Sequence, residues 1–144
     1  MLLEAGAHEV LIADVGENFG QQVRGMTGGE GVDVVIDTVG STVFDAAFDA
    51  LAPHGRYALV GQLAAGEIHI SPARIFFKRA QLLGVGSVSR AQLRDVLALA
   101  QAGVVRPRID RILPLDRIGE AHALVEAGES AGRVIIAPNL REVA

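Results

Sequence analysis

Residues 28–40 read GGEGVDVVIDTVG. At the centre, Val34, Val35 and Ile36 stand between Asp33 and Asp37 without polar alternation, the pattern of a strand buried on both faces in a parallel sheet covered by helices. Glycines bracket the run: Gly28, Gly29 and Gly31 stop whatever precedes it, and Gly40 follows its carboxyl end. Upstream, Val10, Leu11, Ile12 and Ala13 form a second apolar run, followed by Asp14 and Gly16 and then by a helix with Phe19, Val23 and Met26 on its apolar side. Downstream, Ser41 or Thr42 is placed to cap a helix whose Phe44, Ala47, Phe48 and Leu51 follow i, i+3, i+4, i+7 spacing until Pro53 and Gly55. Residues 57–60 and 82–85 read as two further strands, closed by Gly61 and Gly86. The stretch between them, around Ile75, Phe76 and Phe77, reads as a loop with one helical turn.

Beyond residue 88 the pattern becomes sparser. Ser89 with Gln92 three residues later is a capping box, and Leu93, Val96, Leu97 and Ala100 continue a helix that Gly103 ends. A strand at residues 108–113, a helix at 117–127 capped by Asp116 and stopped by Gly128, and a strand at 134–136 complete the chain. The fold class expected is α/β: a partial Rossmann-like doubly wound parallel sheet, followed by a short α+β C-terminal segment.

Composition narrows the partners. The 144 residues are half apolar and 21% charged, with a formal charge of −4. Acids and bases are interleaved, so no basic field draws in nucleic acid or an anionic membrane. No cysteine occurs, which removes disulfides, thiolate zinc sites and cysteine nucleophiles and fits a reducing cytoplasm. Neither a leader peptide nor a spanning helix is expected, and the protein should be soluble.

In open α/β sheets ligands bind beyond the carboxyl ends of the strands, where glycine lets backbone approach closely. Gly40, Gly61 and Gly86 all fall there, although any one of them is readily just a turn. Asp14 and Asp37 both follow strand ends. As a pair they could mark a metal or phosphoacceptor site, but no second acid beside Asp14 and no lysine after the third strand supports this, and Asp37 is read as capping a turn or meeting a ribose. His8, His54, His69 and His122 lack zinc-ligand spacing. Arg106, Arg108 and Arg111, like Lys78 and Arg79, read as solvated charges, and the serines lack the histidine and acid context of a nucleophile.

Several strings together resemble a known family. Residues 28–40, residues 46–61 (AAFDALAPHGRYALVG) and residues 83–87 (LGVGS) are similar, in order and spacing, to the second half of the coenzyme domain of medium-chain dehydrogenases/reductases, especially quinone-reductase-like and alcohol-dehydrogenase-like members. Residues 103–115 (GVVRPRIDRILPL), Glu120-Ala121-His122 and residues 132–136 resemble the family's C-terminal return into its catalytic domain. The resemblance implies that residues 1–88 are a partial dinucleotide-binding domain lacking its first two strands, and residues 89–144 a helix-strand-helix-strand return segment. It further implies hydride transfer between NAD or NADP and a quinone, enone or alcohol. Val39 and Gly40 would lie beside a ribose, Gly61 and Gln62 would face the carboxamide, and Val85, Gly86 and Ser87 would approach the far edge of the nicotinamide. Asp14 would take an adenine-side position, where a carboxylate favours ribose hydroxyls over a 2′-phosphate; it reads equally as a helix cap or a solvated strand end.

The departures carry expectations of their own. No GxGxxG loop occurs, and no residue is assigned a catalytic or metal-binding role. The chain is therefore expected to be part of a cytoplasmic, zinc-free NAD(P)-dependent oxidoreductase, not competent for turnover by itself. The other reading is a non-catalytic nucleotide-binding or interaction module, or the product of a truncated reading frame. Without the strands that flank it in the family's sheet, the run at 10–13 should pair beside residues 34–36 or with another chain, because a lone strand cannot satisfy its amides. Apolar strand surface left open invites a homo-oligomer, a dimer in the simplest case.

Overall fold

The computed structural model describes residues 2–14, 16–63 and 65–139. These fall into two compact units, Met1–Ser87 and Val88–Ala144. In the first, the elements run α1 (Gly20–Met26), β1 (Val32–Asp37), α2 (Phe44–Ala50), β2 (Leu51–Leu59), α3 (Pro72–Lys78) and β3 (Gln81–Gly84). The sheet has the order β1-β2-β3, and both pairings are parallel. All three strands therefore deliver their carboxyl ends, and the turns that follow, to one rim.

The core forms because α2 carries aromatic residues on the side that meets β2. Phe44, Phe48, Leu51 and Tyr57 are fully buried, with Phe19, Val35, Leu59, Ile70 and Ile75 packed around them. Ring centroids of Phe44 and Tyr57 lie 5.0 Å apart, and those of Phe44 and Phe48 5.6 Å apart. Burying each such side chain contributes roughly 1.5–3 kcal/mol, so these few residues dominate the cohesion of a small sheet. Lys78 closes the assembly from α3. Its Nζ donates to the carbonyls of Phe48 (2.6 Å) and Asp49 (3.1 Å) at the end of α2, a favourable place for a cation. Burial, followed by the charge of Arg24, holds the Lys78 ammonium below the ordinary lysine range. Arg74, one turn earlier, binds Asp45 at 2.7 Å and Asp49 at 2.9 Å; mainly through the Asp45 contact, its pKa is raised.

Two places need unusual backbone. Gly31 sits at φ +92°, and a Cβ there would lie 2.4 Å from the Ala50 carbonyl oxygen, so β1 can start against the end of α2 only with glycine. In β2 the register runs Val32↔Leu51 and then Val34↔Arg56. The intervening residues of β2 bulge from the ladder, and His54 there adopts φ 64°.

The second unit holds α4 (Arg90–Gln101), β4 (Ile109–Pro114), a 3-10 turn (Leu115–Arg117), α5 (Ile118–Glu126) and β5 (Arg133–Ala137). The capping box is present in full: Gln92 N donates to Ser89 Oγ, and Ser89 N donates to Gln92 Oε1. β4 and β5 pair in parallel across α5. Gly103 and Gly128 end their helices at φ +72° and +67°.

Six expectations require correction. Residues 10–13 form no strand beside residues 34–36 or elsewhere among the described residues; Ile12 is 94% exposed, so apolar content alone did not bring it to an edge of this sheet. β1 is not buried on both faces: Val35 and Asp37 point toward the helices, whereas Val34 and Ile36 are 44% and 72% exposed, because helices of this unit cover one face only. Neither Ser41 nor Thr42 caps α2; its N-cap is Val43, without a side-chain bond. Asp116 lies inside the 3-10 turn, and α5 starts from Arg117. Pro53 and Gly55 lie within β2 instead of ahead of it, and α3 has two turns instead of one.

Candidate functional site

The rim is organised by Asp37, the last residue of β1. Its carboxylate is buried, and Oδ1 accepts the amides of Val39 (2.8 Å) and Gly40 (2.9 Å), while Oδ2 accepts the Tyr57 hydroxyl (2.8 Å). Three donors spread the carboxylate's charge, which is how an acid is tolerated inside. Asp37 therefore caps the turn; its side chain is committed inward. Burial first, and then the bond to Asp37, push the Tyr57 phenol far above its ordinary value, so it stays a donor.

The neighbouring turns lock onto this one through backbone. The Asp37 carbonyl accepts Val60 N at 2.8 Å, Val39 O accepts Leu63 N at 3.0 Å, and Leu59 O accepts Val85 N at 2.9 Å. Gly40 has φ +94° and faces Gln62, and a Cβ at Gly61 would stand 3.2 Å from Thr38 O. Gly40 is favoured by its positive φ, and at both positions a side chain would press a neighbour by a few tenths of an ångström.

A cavity of about 490 Å³ opens among these turns, lined by Gly40, Ser41, Gly61, Gln62, Gly66 and Val85, with Leu59, Val60 and Ile68 behind them. Among the described residues its lining carries no charged side chain, so it suits a ligand edge made of apolar ring and neutral hydrogen-bonding groups. Four of the eight residues expected at the site, Gly40, Gly61, Gln62 and Val85, meet here. Val39 and Asp14 instead border a second, larger groove of about 810 Å³ with Leu11, Phe19 and Val23. Gly86 and Ser87 are exposed and line neither. The Asp14 amide donates to Glu17 Oε2 at 3.0 Å. Two participants were not foreseen in these roles. Tyr57 read only as a strand residue, and Ser41 read as a cap; the first is revealed by a pairing twenty residues away in sequence, the second only by the cavity.

For a metal the donor set does not fit. The sequence has no cysteine, and among the described residues no group of three or more His, Cys, Asp or Glu side chains could hold an ion. Among the same residues no helix is long and apolar enough to cross a membrane.

Fold and rim together define a Rossmann-like α/β chain whose parallel strands end around a ligand-sized cavity. The chain belongs to the zinc-binding dehydrogenase family, within the medium-chain dehydrogenases/reductases: the family model matches residues 5–136. An NAD-dependent alcohol dehydrogenase of Sulfolobus acidocaldarius is 33% identical over 117 residues, covering 81% of this chain and 34% of that protein. The quinone oxidoreductase of Homo sapiens is 28% identical over 144 residues, covering 94% and 43%. Among solved structures, AibC superposes with a TM-score of 0.87 at 37% identity, covering 96% of this chain and 38% of that one. The chain thus spans between about a third and somewhat over two-fifths of the length of these relatives.

Proposed function

We propose that the chain supplies the rim of a nicotinamide-dinucleotide site in an NAD(P)-dependent oxidoreductase acting on a quinone, enone or alcohol. The observation that carries this reading is the cavity of about 490 Å³ shared by the turns at Gly40, Gly61 and Val85. When bound, the dinucleotide supplies the hydride chemistry; the protein's part is placement. Asp37 fixes the amides of the 38–40 turn, Gly40 and Gly61 admit close approach, Gln62 offers a neutral amide, and Val85 provides an apolar wall. Val39 and Asp14 border the neighbouring groove, and Gly86 and Ser87 extend the third turn. No titratable side chain lines the cavity, so proton transfer and substrate positioning need groups outside it, and the 144-residue chain alone should not turn over.

On this reading residues 1–88 are the dinucleotide-binding part and residues 89–144 the segment that returns to a catalytic domain. The protein is cytoplasmic and self-associates through its open sheet surface. Calorimetric titration of the purified chain with NADH and NADPH tests the reading: a micromolar Kd for either supports it. No heat at millimolar concentration of both would refute it and favour a non-catalytic interaction module.

A further inference from the structure

Ser41 stands out once its expected capping role is gone. Its Oγ is buried and has no hydrogen-bond partner among the described residues. Such an atom is uncommon, because a hydroxyl withdrawn from water without a partner costs free energy that an alanine methyl would not. The α2 N-cap does not use it. The residue nonetheless lines the rim cavity with Gly40, Gly61 and Gln62, and its hydroxyl is turned under Gly66, where an added Cβ would come within 2.5 Å of Oγ.

We propose that Ser41 is a ligand-binding residue of this cavity, a role that rests on the dinucleotide reading above. Rotation about χ1 moves Oγ from beneath Gly66 into the cavity. The rotation breaks no hydrogen bond, because none is made in the free protein. The partner is a neutral polar group of the dinucleotide, a ribose hydroxyl or the carboxamide. A hydroxyl donates one bond and accepts two, matching such groups, whereas a phosphate would lie in a cavity whose lining offers no cation.

Ser41→Ala and Gly66→Ala in the full 144-residue chain test this by calorimetric titration with NADH and NADPH, alongside thermal unfolding. Ser41→Ala should raise the Kd about five- to tenfold, the effect of one lost hydrogen bond, while Tm stays level or rises. That combination sets a ligand contact apart from a structural hydroxyl, whose loss would lower Tm. Gly66→Ala should tighten binding by about two- to threefold, because its Cβ displaces Oγ toward the cavity before the ligand arrives. A wild-type protein that binds while Ser41→Ala binds equally well overturns the Ser41 contact and leaves the functional reading standing. A clear fall in Tm for Ser41→Ala, or weaker binding by a stably folded Gly66→Ala, also overturns it. A wild-type protein that binds neither dinucleotide removes both proposals together.

Discussion

The pair Asp37–Tyr57 ties the core to the rim through a single side-chain contact of 2.8 Å. Tyr57→Phe keeps the ring in its aromatic cluster but leaves Asp37 Oδ2 short of a donor, so it should cost about 1–2 kcal/mol in urea unfolding at neutral pH. The same hydroxyl predicts an alkaline slope. Its folded pKa is raised, chiefly by burial, so the contribution is complete below the unfolded tyrosine value of about 10. It is then lost as pH climbs further, at about 1.4 kcal/mol per pH unit for one proton. The assignment is clean because Tyr57 is the sole tyrosine and Lys78 the sole lysine. The lowered Lys78 pKa acts with the opposite sign, stability rising as pH passes from its folded value to the unfolded one, and is common to both proteins. Unfolding curves from pH 9 to 11.5 should therefore differ by the tyrosine slope alone; parallel curves would disprove the assignment.

At the scale of elements, the ones legible in the sequence were those whose determinants are neighbours in the chain. Ser89 and Gln92 lie three residues apart, and the capping box they announced is present with both bonds. Ser89→Ala should cost about 1 kcal/mol and speed amide exchange in the first turn of α4 about fivefold, leaving β1 and β2 protected as before. Strands β1, β2 and β3 were likewise visible, since apolar runs closed by glycine leave few alternatives. Less local features escaped. Residues 10–13 have a strand's composition, but a strand exists only through a partner's amides, and partnership is not written in the run itself. β2 starts at Leu51, directly after α2 and beside Gly31, a neighbour that no window around Pro53 contains. Half of the expected site residues meet at one cavity for the same reason that the strands were legible: parallel pairing carries Gly40, Gly61 and Val85 to one rim. Asp14 and Val39 border the other groove, a placement that no local run of residues announces.

For the molecule as a whole, the uncovered face of the three-stranded sheet is the feature with the largest expected effect on behaviour. β1 is an edge strand among the described residues, with Val34 and Ile36 exposed. Apolar side chains beside unpaired backbone favour association. Light scattering behind size exclusion should find the wild type as a dimer or larger. Ile36→Lys should be monomeric at the same concentration with Tm little changed, because a side chain 72% exposed takes no part in the core. A wild type that stays monomeric at high concentration would refute this.

The rim's construction also bears on how its evolution and mutagenesis will read. Contacts made by peptide groups survive nearly any exchange of the side chains that flank them, so a conventional alanine scan will pass silently over much of the backbone that shapes this cavity. It will register strongly at Asp37, whose carboxylate is buried and bonded to Val39, Gly40 and Tyr57. Besides Ser41, the informative substitutions at this edge are those that add volume at Gly40 and Gly61 or remove the one inward carboxylate. A map of tolerated changes will therefore trace the scaffold of the pocket more faithfully than its lining.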